Sequence, residues 1–224
     1  MLVKFHIFLS KLLSLAINQP MIKIRFMGFK ELFGVKPPVT YIDTIALKKC
    51  YLPSFKKQYE KCYKKCKAKL SLTRKKKFEA YFRNLERAGN DHSYCKRIQL
   101  RYINPKVRYG VFAKETIAPY STLTHYVGEM IPTKLLKVNH DCSFSFEHFP
   151  GFSIDAMKMG NWARFMNHAD AGKPSNNVVV WEYYTEKSPY IVFTAGRKGI
   201  KKGEQLLYNY GHEYWQERTS LDLK

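Results

Sequence analysis

Acidic residues are scarce in this chain of 224 residues: 18 Asp and Glu stand against 39 Lys and Arg, a formal net charge of +21. Such a surface attracts polyanions and acidic proteins, depends strongly on salt, and leaves the fold open. Cysteine is also sparse. Five cysteines, an odd number at scattered spacing, argue against a disulfide framework and for reduced thiols. Cys62 and Cys66 lie one helical turn apart, and with Cys50 and Cys95 they are a candidate zinc set. No Cys-x-x-Cys pair or knuckle turn supports that set, so no metal is expected. His125, His140, His148 and His212 lack metal-ligand spacing as well. No apolar run is long enough to span a membrane: Lys4, His6 and Lys11 interrupt the stretch Met1 to Asn18. That stretch is a poor secretory signal, without an A-x-A-like site, and reads as a basic amphipathic helix. No internal repeat is visible.

What is present is material for a core, with 45% hydrophobic and 15% aromatic residues. The length allows one domain plus an extension. Residues 19–47 read as loop-rich, with one short helix near Phe29–Phe33. From Lys48 to Arg87 basic residues dominate, with Phe55, Tyr59, Tyr63, Phe78, Tyr81 and Phe82 interleaved. The aromatic spacing predicts one buried face on each of two basic helices. A break is expected at Ser71–Thr73, with Thr73 as N-cap, and a stop at Ala88–Asp91. The run Arg74–Lys77 suits a nuclear localisation signal or a nucleic-acid patch, against the plainer reading of a solvated helix face.

Past Asn90 the pattern changes to short β-rich segments: Gln99–Tyr102, Gly110–Ala113, Leu123–Gly128, Ser143–Phe146, Phe152–Asp155, Val178–Glu182 and Ile191–Ala195. Turn residues separate them, which predicts a compact β domain. Helical breaks are expected at Thr133–Val138 and around Trp162–Met166. Two stretches stand out. Gly203 to Trp215 carries Tyr208, Asn209, Tyr210, Gly211, Tyr214 and Trp215 behind a turn and the apolar pair Leu206-Leu207. Arg164-Phe165-Met166-Asn167-His168 is its expected partner.

Taken in order, these motifs resemble the SET-domain family of lysine methyltransferases. Gly110-Val111-Phe112-Ala113 is similar to the family's first motif and Tyr126-Val127-Gly128-Glu129 to its Y-x-G-E step. Arg164–His168 resembles R-F-x-N-H, with Asn177 as the asparagine that follows. Phe193-Thr194-Ala195, the turn to Gly203 and then Gln205–Gly211 resemble the closing strand, turn and tyrosine segment. The resemblance covers about half the chain, roughly residues 98–215. It departs at Arg108, where the first motif has glycine, and at Asn209, where aspartate is common. The loop at Asp170–Lys173 is reshaped. No cysteine follows Cys142, so the family's C-terminal zinc cluster is missing, and Tyr214 and Trp215 or a partner must cover the site.

The resemblance implies a β-rich α+β fold whose C-terminal segment passes beneath a loop near Asn167 in a knot-like arrangement. It divides the chain into a basic, mostly helical extension (1–97), a SET domain (98–215) and a tail (216–224). It implies S-adenosylmethionine as methyl donor and a protein lysine as acceptor, with histone or histone-like proteins as substrate and a nuclear or chromatin location. Tyr210 is then the catalytic tyrosine, Tyr208 controls how many methyl groups fit, and Tyr126 lines the lysine channel. A hydroxyl at Tyr208 leaves less room, which favours mono- and dimethylation. Asn167 and His168 meet the cofactor. Gly110, Val111 and Phe112 bring backbone groups to its methionine end, Arg164 and Phe165 belong to the same site, and Trp215 stacks on adenine or packs in the core. Glu129, Glu147, Asp155 and Glu182 are candidates for an acidic groove that accepts a basic tail. DNA or chromatin contact through residues 48–87 and a homodimer are further partner readings. The small size resembles compact bacterial and viral members, for which export to a host nucleus or a bacterial cytoplasmic location are alternatives. A SET-derived chromatin-binding module without turnover, and a methyltransferase of a ribosomal or other non-histone protein, are the competing functions.

Overall fold

The computed structural model describes residues 29–35, 37, 39–42, 45–46, 53–67, 78–83, 93–136, 141–185, 188–212 and 214–215. The expectations for Met1 to Asn18, Ser71–Thr73, Arg74–Lys77, Ala88–Asp91, Cys50, His140 and the tail 216–224 lie outside the described residues, as does the side chain of Cys66.

Helix α1 (Phe29–Phe33) and strand β1 (Thr40–Tyr41) precede helix α2 (Pro53–Lys67), a helical stretch at 78–83, and helix α3 (Ser93–Arg97). The strands that follow are β2 (Ile98–Asn104), β3 (Arg108–Ala113), β4 (Thr122–His125), β5 (Glu129–Pro132), β6 (Ser143–Ser145), β7 (Phe152–Asp155), β8 (Met159–Gly160), β9 (Asn167–His168), β10 (Val178–Tyr184), β11 (Pro189–Ala195) and β12 (Leu207–Tyr208). They form small sheets: the hairpin β2-β3, the antiparallel sheets β10-β11-β4 and β5-β7-β6, and the parallel pairs β1-β8 and β12-β9.

Strand β11 is central, and its run Ile191 to Ala195 is buried throughout, as a strand covered on both faces must be. Its alternation separates two cores. Ile191, Phe193 and Ala195 join the main core, which contains Tyr126 and Tyr208. Val192 points the other way, to Phe78, Phe82 and Tyr183. The helical stretch at 78–83 therefore docks on the far side of the sheet from the candidate site.

Helix α2 docks as its aromatic spacing predicts. Tyr59 is buried edge-on against Phe149 and Phe152, each 5.4 Å between centroids. The Tyr63 hydroxyl donates to the Thr185 carbonyl, and Phe55 is half-buried beneath Lys134. Lys56, Lys57, Lys61, Lys64 and Lys65 face solvent.

Short strands β1, β5, β8 and β9 were not expected from the pattern, because strands of two to four residues carry too little alternation to register. Gly128 shows what their pairing demands: a Cβ there would lie 2.4 Å from the Asp155 carbonyl oxygen, just where β5 meets β7. In the β2-β3 hairpin the Asn104 carboxamide oxygen accepts the N–H groups of Lys106 (3.0 Å) and Val107 (2.8 Å). Arg108 leaves this turn with φ of 63°, beside a register shift between Tyr102 and Asn104. This is the left-handed conformation that glycine adopts without cost.

Candidate active site

The two stretches singled out in the sequence lie side by side. Strand β12 runs parallel to β9, with Leu207 opposite Asn167 and Tyr208 opposite His168. The Ala169 N–H donates to the Tyr208 carbonyl at 3.0 Å. On the other side, the Asn177 side chain donates to the Gln205 carbonyl (2.9 Å) and accepts the Leu207 N–H (3.0 Å). The Asn177 N–H donates to the Leu207 carbonyl at 3.2 Å. Upstream, Gly203, Glu204 and Leu206 exchange backbone bonds of 2.8–2.9 Å with Val111 and Ala113 of β3. Residues 203–208 are thus bonded to three separate parts of the chain.

This scaffold gathers the tyrosines. The half-buried Tyr210 hydroxyl donates to the Met166 carbonyl at 2.7 Å, and the Tyr210 N–H donates to His168 Nδ1 at 3.2 Å. Tyr208 is buried, with its ring 4.8 Å from that of Tyr210 and 5.1 Å from that of Phe193. Buried Tyr126 donates its hydroxyl to the Cys142 carbonyl at 2.9 Å. Phe144 lies between Tyr126 (5.6 Å) and Tyr208 (6.1 Å). Burial pushes the Tyr126 hydroxyl well above the usual phenol range; Cys142 adds to the rise and Arg164 opposes it. Burial does the same at Tyr208, helped by Tyr210 and Tyr126. These hydroxyls stay protonated, so they act as hydrogen-bond partners and not as bases.

The cofactor candidates divide into two groups. His168 packs against Tyr210, with Asn167 before it in β9 and Trp215 on the His168 ring. Asn167 donates to the Tyr109 carbonyl (3.1 Å), tying β9 to β3, and the His168 ring lies edge-on to Trp215 at 4.9 Å. Trp215 is 43% exposed. Gly110 belongs to the same region, and its missing Cβ leaves room for the Gln205 side chain, which that atom would approach to 2.5 Å.

The side chains of Val111, Phe112 and Phe165 serve packing, which leaves the backbone of Val111 and Phe112 for the part expected of it. Val111 is fully buried, Phe112 lies 3.3 Å beneath the Arg101 guanidinium, and Phe165 packs on Phe29 and Tyr109 at 5.4 and 5.7 Å. The Arg164 guanidinium donates to the Ala156 carbonyl (2.8 Å) and to Cys142 Sγ (3.0 Å), so it braces the segment that anchors Tyr126.

Two contributors escaped the sequence reading. Cys142 is one, since its carbonyl anchors Tyr126. Asn161 is buried; it accepts the Ala163 N–H (3.1 Å) and donates to the His125 carbonyl (2.9 Å), fixing the 3₁₀ turn Trp162–Phe165 against β4. An asparagine just before Trp162-Ala163-Arg164-Phe165 was a legible N-cap signal. The four acidic residues expected to share one groove fall into two pairs at opposite ends of the β5-β7-β6 sheet. Glu129 and Asp155 are cross-strand partners at the end nearer Cys142. Glu182, bonded by the Glu147 and His148 N–H groups and the Tyr184 hydroxyl, secures the loop at the other end. Among the described residues no three His, Cys, Asp or Glu gather as metal ligands.

Residues 108–211 match the family model of the SET domain. In sequence the chain is 31% identical to human histone-lysine N-methyltransferase EHMT1 over 129 residues, covering 56% of this chain and 10% of that protein. It is 34% identical to Arabidopsis thaliana histone-lysine N-methyltransferase ASHH3 over 109 residues, covering 45% and 29%. The chain spans 10% or less of the length of the first curated relatives it matches. The crystal structure of ATXR5 in complex with a mono-methylated histone superposes with a TM-score of 0.58 over 82% of this chain and 84% of that one, at 15% identity, and shares the fold. A ctPRC2 structure bound to S-adenosylmethionine is 28% identical, with a TM-score of 0.44 over 56% and 16%.

Proposed function

We propose, from the premise that residues 108–211 are a SET domain, that this protein is an S-adenosylmethionine-dependent protein-lysine N-methyltransferase acting on histone or histone-like proteins. The observation that carries the reading is the convergence of Tyr210, Tyr208 and the Met166 carbonyl where β9 and β12 run together. The residues present suit such a cofactor. The rings of Tyr208, Tyr210, Tyr214 and Trp215 follow one another at 4.6–5.0 Å, and aromatic faces beside a carbonyl favour a cationic group. S-adenosylmethionine supplies a methyl group already activated on a sulfonium, so what remains for the chain is alignment.

In this reading Asn167, His168, the backbone around Gly110 and the Trp215 ring hold the cofactor. Tyr210 orients the acceptor amine, and Tyr126 and Tyr208 wall its channel. Lysine, with a reference pKa of about 10.4, must lose its proton before attack, and burial in an apolar channel favours the neutral amine. Tyrosines that stay protonated cannot take that proton, so it leaves to water. The Tyr208 hydroxyl limits the room left for methyl groups, which favours mono- and dimethylation. We assign Arg164 to positioning, through Cys142 and Tyr126. Arg108 takes a left-handed backbone, with φ of 63°, that a glycine at this position would adopt without side-chain strain. Asn209 caps the next turn, accepting the Gly211 N–H at 2.9 Å, a role that needs no charge.

The division into an extension at 1–97, a SET domain at 98–215 and a tail belongs to the same proposal, as does threading of 205–208 beneath the loop from Asn167 to Asn177. A chain of charge +21 repels a basic tail, so DNA contacts along the lysine face of α2 would bring the enzyme to its substrate in chromatin.

The test is transfer of a labelled methyl group from S-adenosylmethionine to histones, nucleosomes and a whole lysate, with the product located by mass spectrometry. Label on histone lysine is expected. Label confined to a ribosomal or other protein would overturn the substrate, and bound cofactor without label on any protein would overturn the enzyme.

A further inference from the structure

The parallel ladder between β9 and β12 stops after two residue pairs, and its last backbone bond runs from the Ala169 N–H to the Tyr208 carbonyl. Two residues on, the Tyr210 N–H has the His168 side chain as its partner, donating to Nδ1 at 3.2 Å. A ring nitrogen accepts only when it carries no proton, which places the proton of the neutral imidazole on Nε2. Nε2 lies 3.1 Å from Asp170 Oδ1, and a carboxylate there accepts that proton's hydrogen bond. The two bonds select one tautomer from opposite ends of the ring. The ring is also held edge-on to Tyr210 (5.3 Å) and Trp215 (4.9 Å). Tyr210 is thereby tied at its backbone to His168 and at its hydroxyl to Met166, both in one stretch of five residues.

We propose that Asp170 is a positioning residue for Tyr210, acting through the tautomer of His168. The proposal rests on reading Tyr210 as the tyrosine that meets the acceptor amine. Asp170 is 73% exposed, so solvent screens its bond and the expected effect is modest.

The experiment compares Asp170→Ala and Asp170→Asn with the wild-type full chain. It measures kcat and KM for methyl transfer to a histone preparation, melting temperature, and the ¹⁵N spectrum of the His168 imidazole, assigned by its loss in His168→Gln. Asp170→Ala is expected to lower kcat by about 2- to 5-fold, with KM and melting temperature held, and to turn a single Nε2–H tautomer into a mixture. Asp170→Asn keeps an acceptor oxygen in place and is expected to restore both. An unchanged kcat and tautomer in Asp170→Ala would overturn the proposal. So would a fall in kcat that tracks melting temperature while the tautomer stays fixed. If the wild type transfers no methyl group, the functional reading fails by itself, and the wild-type spectrum still decides: a mixture of tautomers would overturn this inference, and a single Nε2–H form lost in Asp170→Ala would support its structural half.

Discussion

Strand β11 has an aromatic cluster on each face, and the two clusters use the same side chains for different ends. Toward the helical stretch at 78–83, Phe78, Phe82, Tyr183 and Val192 close a small core in which Phe82 stacks on Tyr183 at 5.1 Å. Toward the C-terminal segment, Tyr126 and Tyr208 pack around Phe193 and Phe144, and Tyr210 packs on Tyr208. Both contain a tyrosine–histidine pair: the Tyr81 hydroxyl and His125 Nδ1 are 3.1 Å apart in the first, and Tyr210 bonds His168 in the second. What separates them is the join. The first pair fastens a helix to a sheet. The second stands where two distant stretches run together, its tyrosine half-buried and bonded to a backbone carbonyl. Ring density and partial exposure do not separate the two clusters, since Tyr81 and Tyr210 are both half-buried; the pairing of β9 with β12 beside Tyr210 does.

That contrast breaks most visibly at Phe78. Phe78→Ala removes a fully buried ring and is expected to cost about 3–5 kcal/mol in a denaturant titration, while methyl transfer per folded molecule stays near wild type. Loss of transfer without loss of stability would mean the far cluster belongs to the site. Tyr208→Phe is the mirror case. Phenylalanine keeps the packing, so the melting temperature should move little, and mass spectrometry should show the product distribution shifting to higher methylation. An unchanged distribution would remove Tyr208 as the limit on methyl number. Arg108→Gly relieves a left-handed backbone worth about 1–2 kcal/mol, offset by roughly 0.5–1 kcal/mol of glycine's extra chain entropy. A small gain in stability is expected, and a clear loss would show that the arginine side chain stabilises the hairpin.

The smallest effect is with pH. Tyr126 and Tyr208 hold their protons longer in the folded chain than in the unfolded one. The stability this provides is complete below about pH 10, where unfolded tyrosine titrates, and is lost as pH rises beyond it. Urea midpoints should fall between about pH 8 and about pH 11, and by less in Tyr126→Phe. Equal falls in both proteins would show that burial does not protect this hydroxyl.

Much of the site was legible because its motifs are local strings. Arg164–His168 and Gln205–Gly211 announced themselves, and the alternation of β11 and the aromatic face of α2 followed from simple periodicity. The side-chain contacts of Arg164, Phe165, Val111 and Phe112 were less legible, since a motif names positions and not directions. The side chains of those four turn into packing or bracing contacts. The anchor of Tyr126 is a backbone carbonyl, and no residue identity encodes a carbonyl. The acidic groove failed for a related reason: Glu129 and Glu182 stand on strands of two different sheets, and which strands share a sheet is a pairing property that single segments do not carry.

The most direct measurement is on Tyr210→Phe, with cofactor affinity and methyl transfer read from the same preparation. Loss of one hydroxyl at a reacting centre is expected to slow transfer by about 10²- to 10³-fold while S-adenosylmethionine still binds and the melting temperature holds. Transfer at the wild-type rate would contradict the placement of chemistry where β9 and β12 meet.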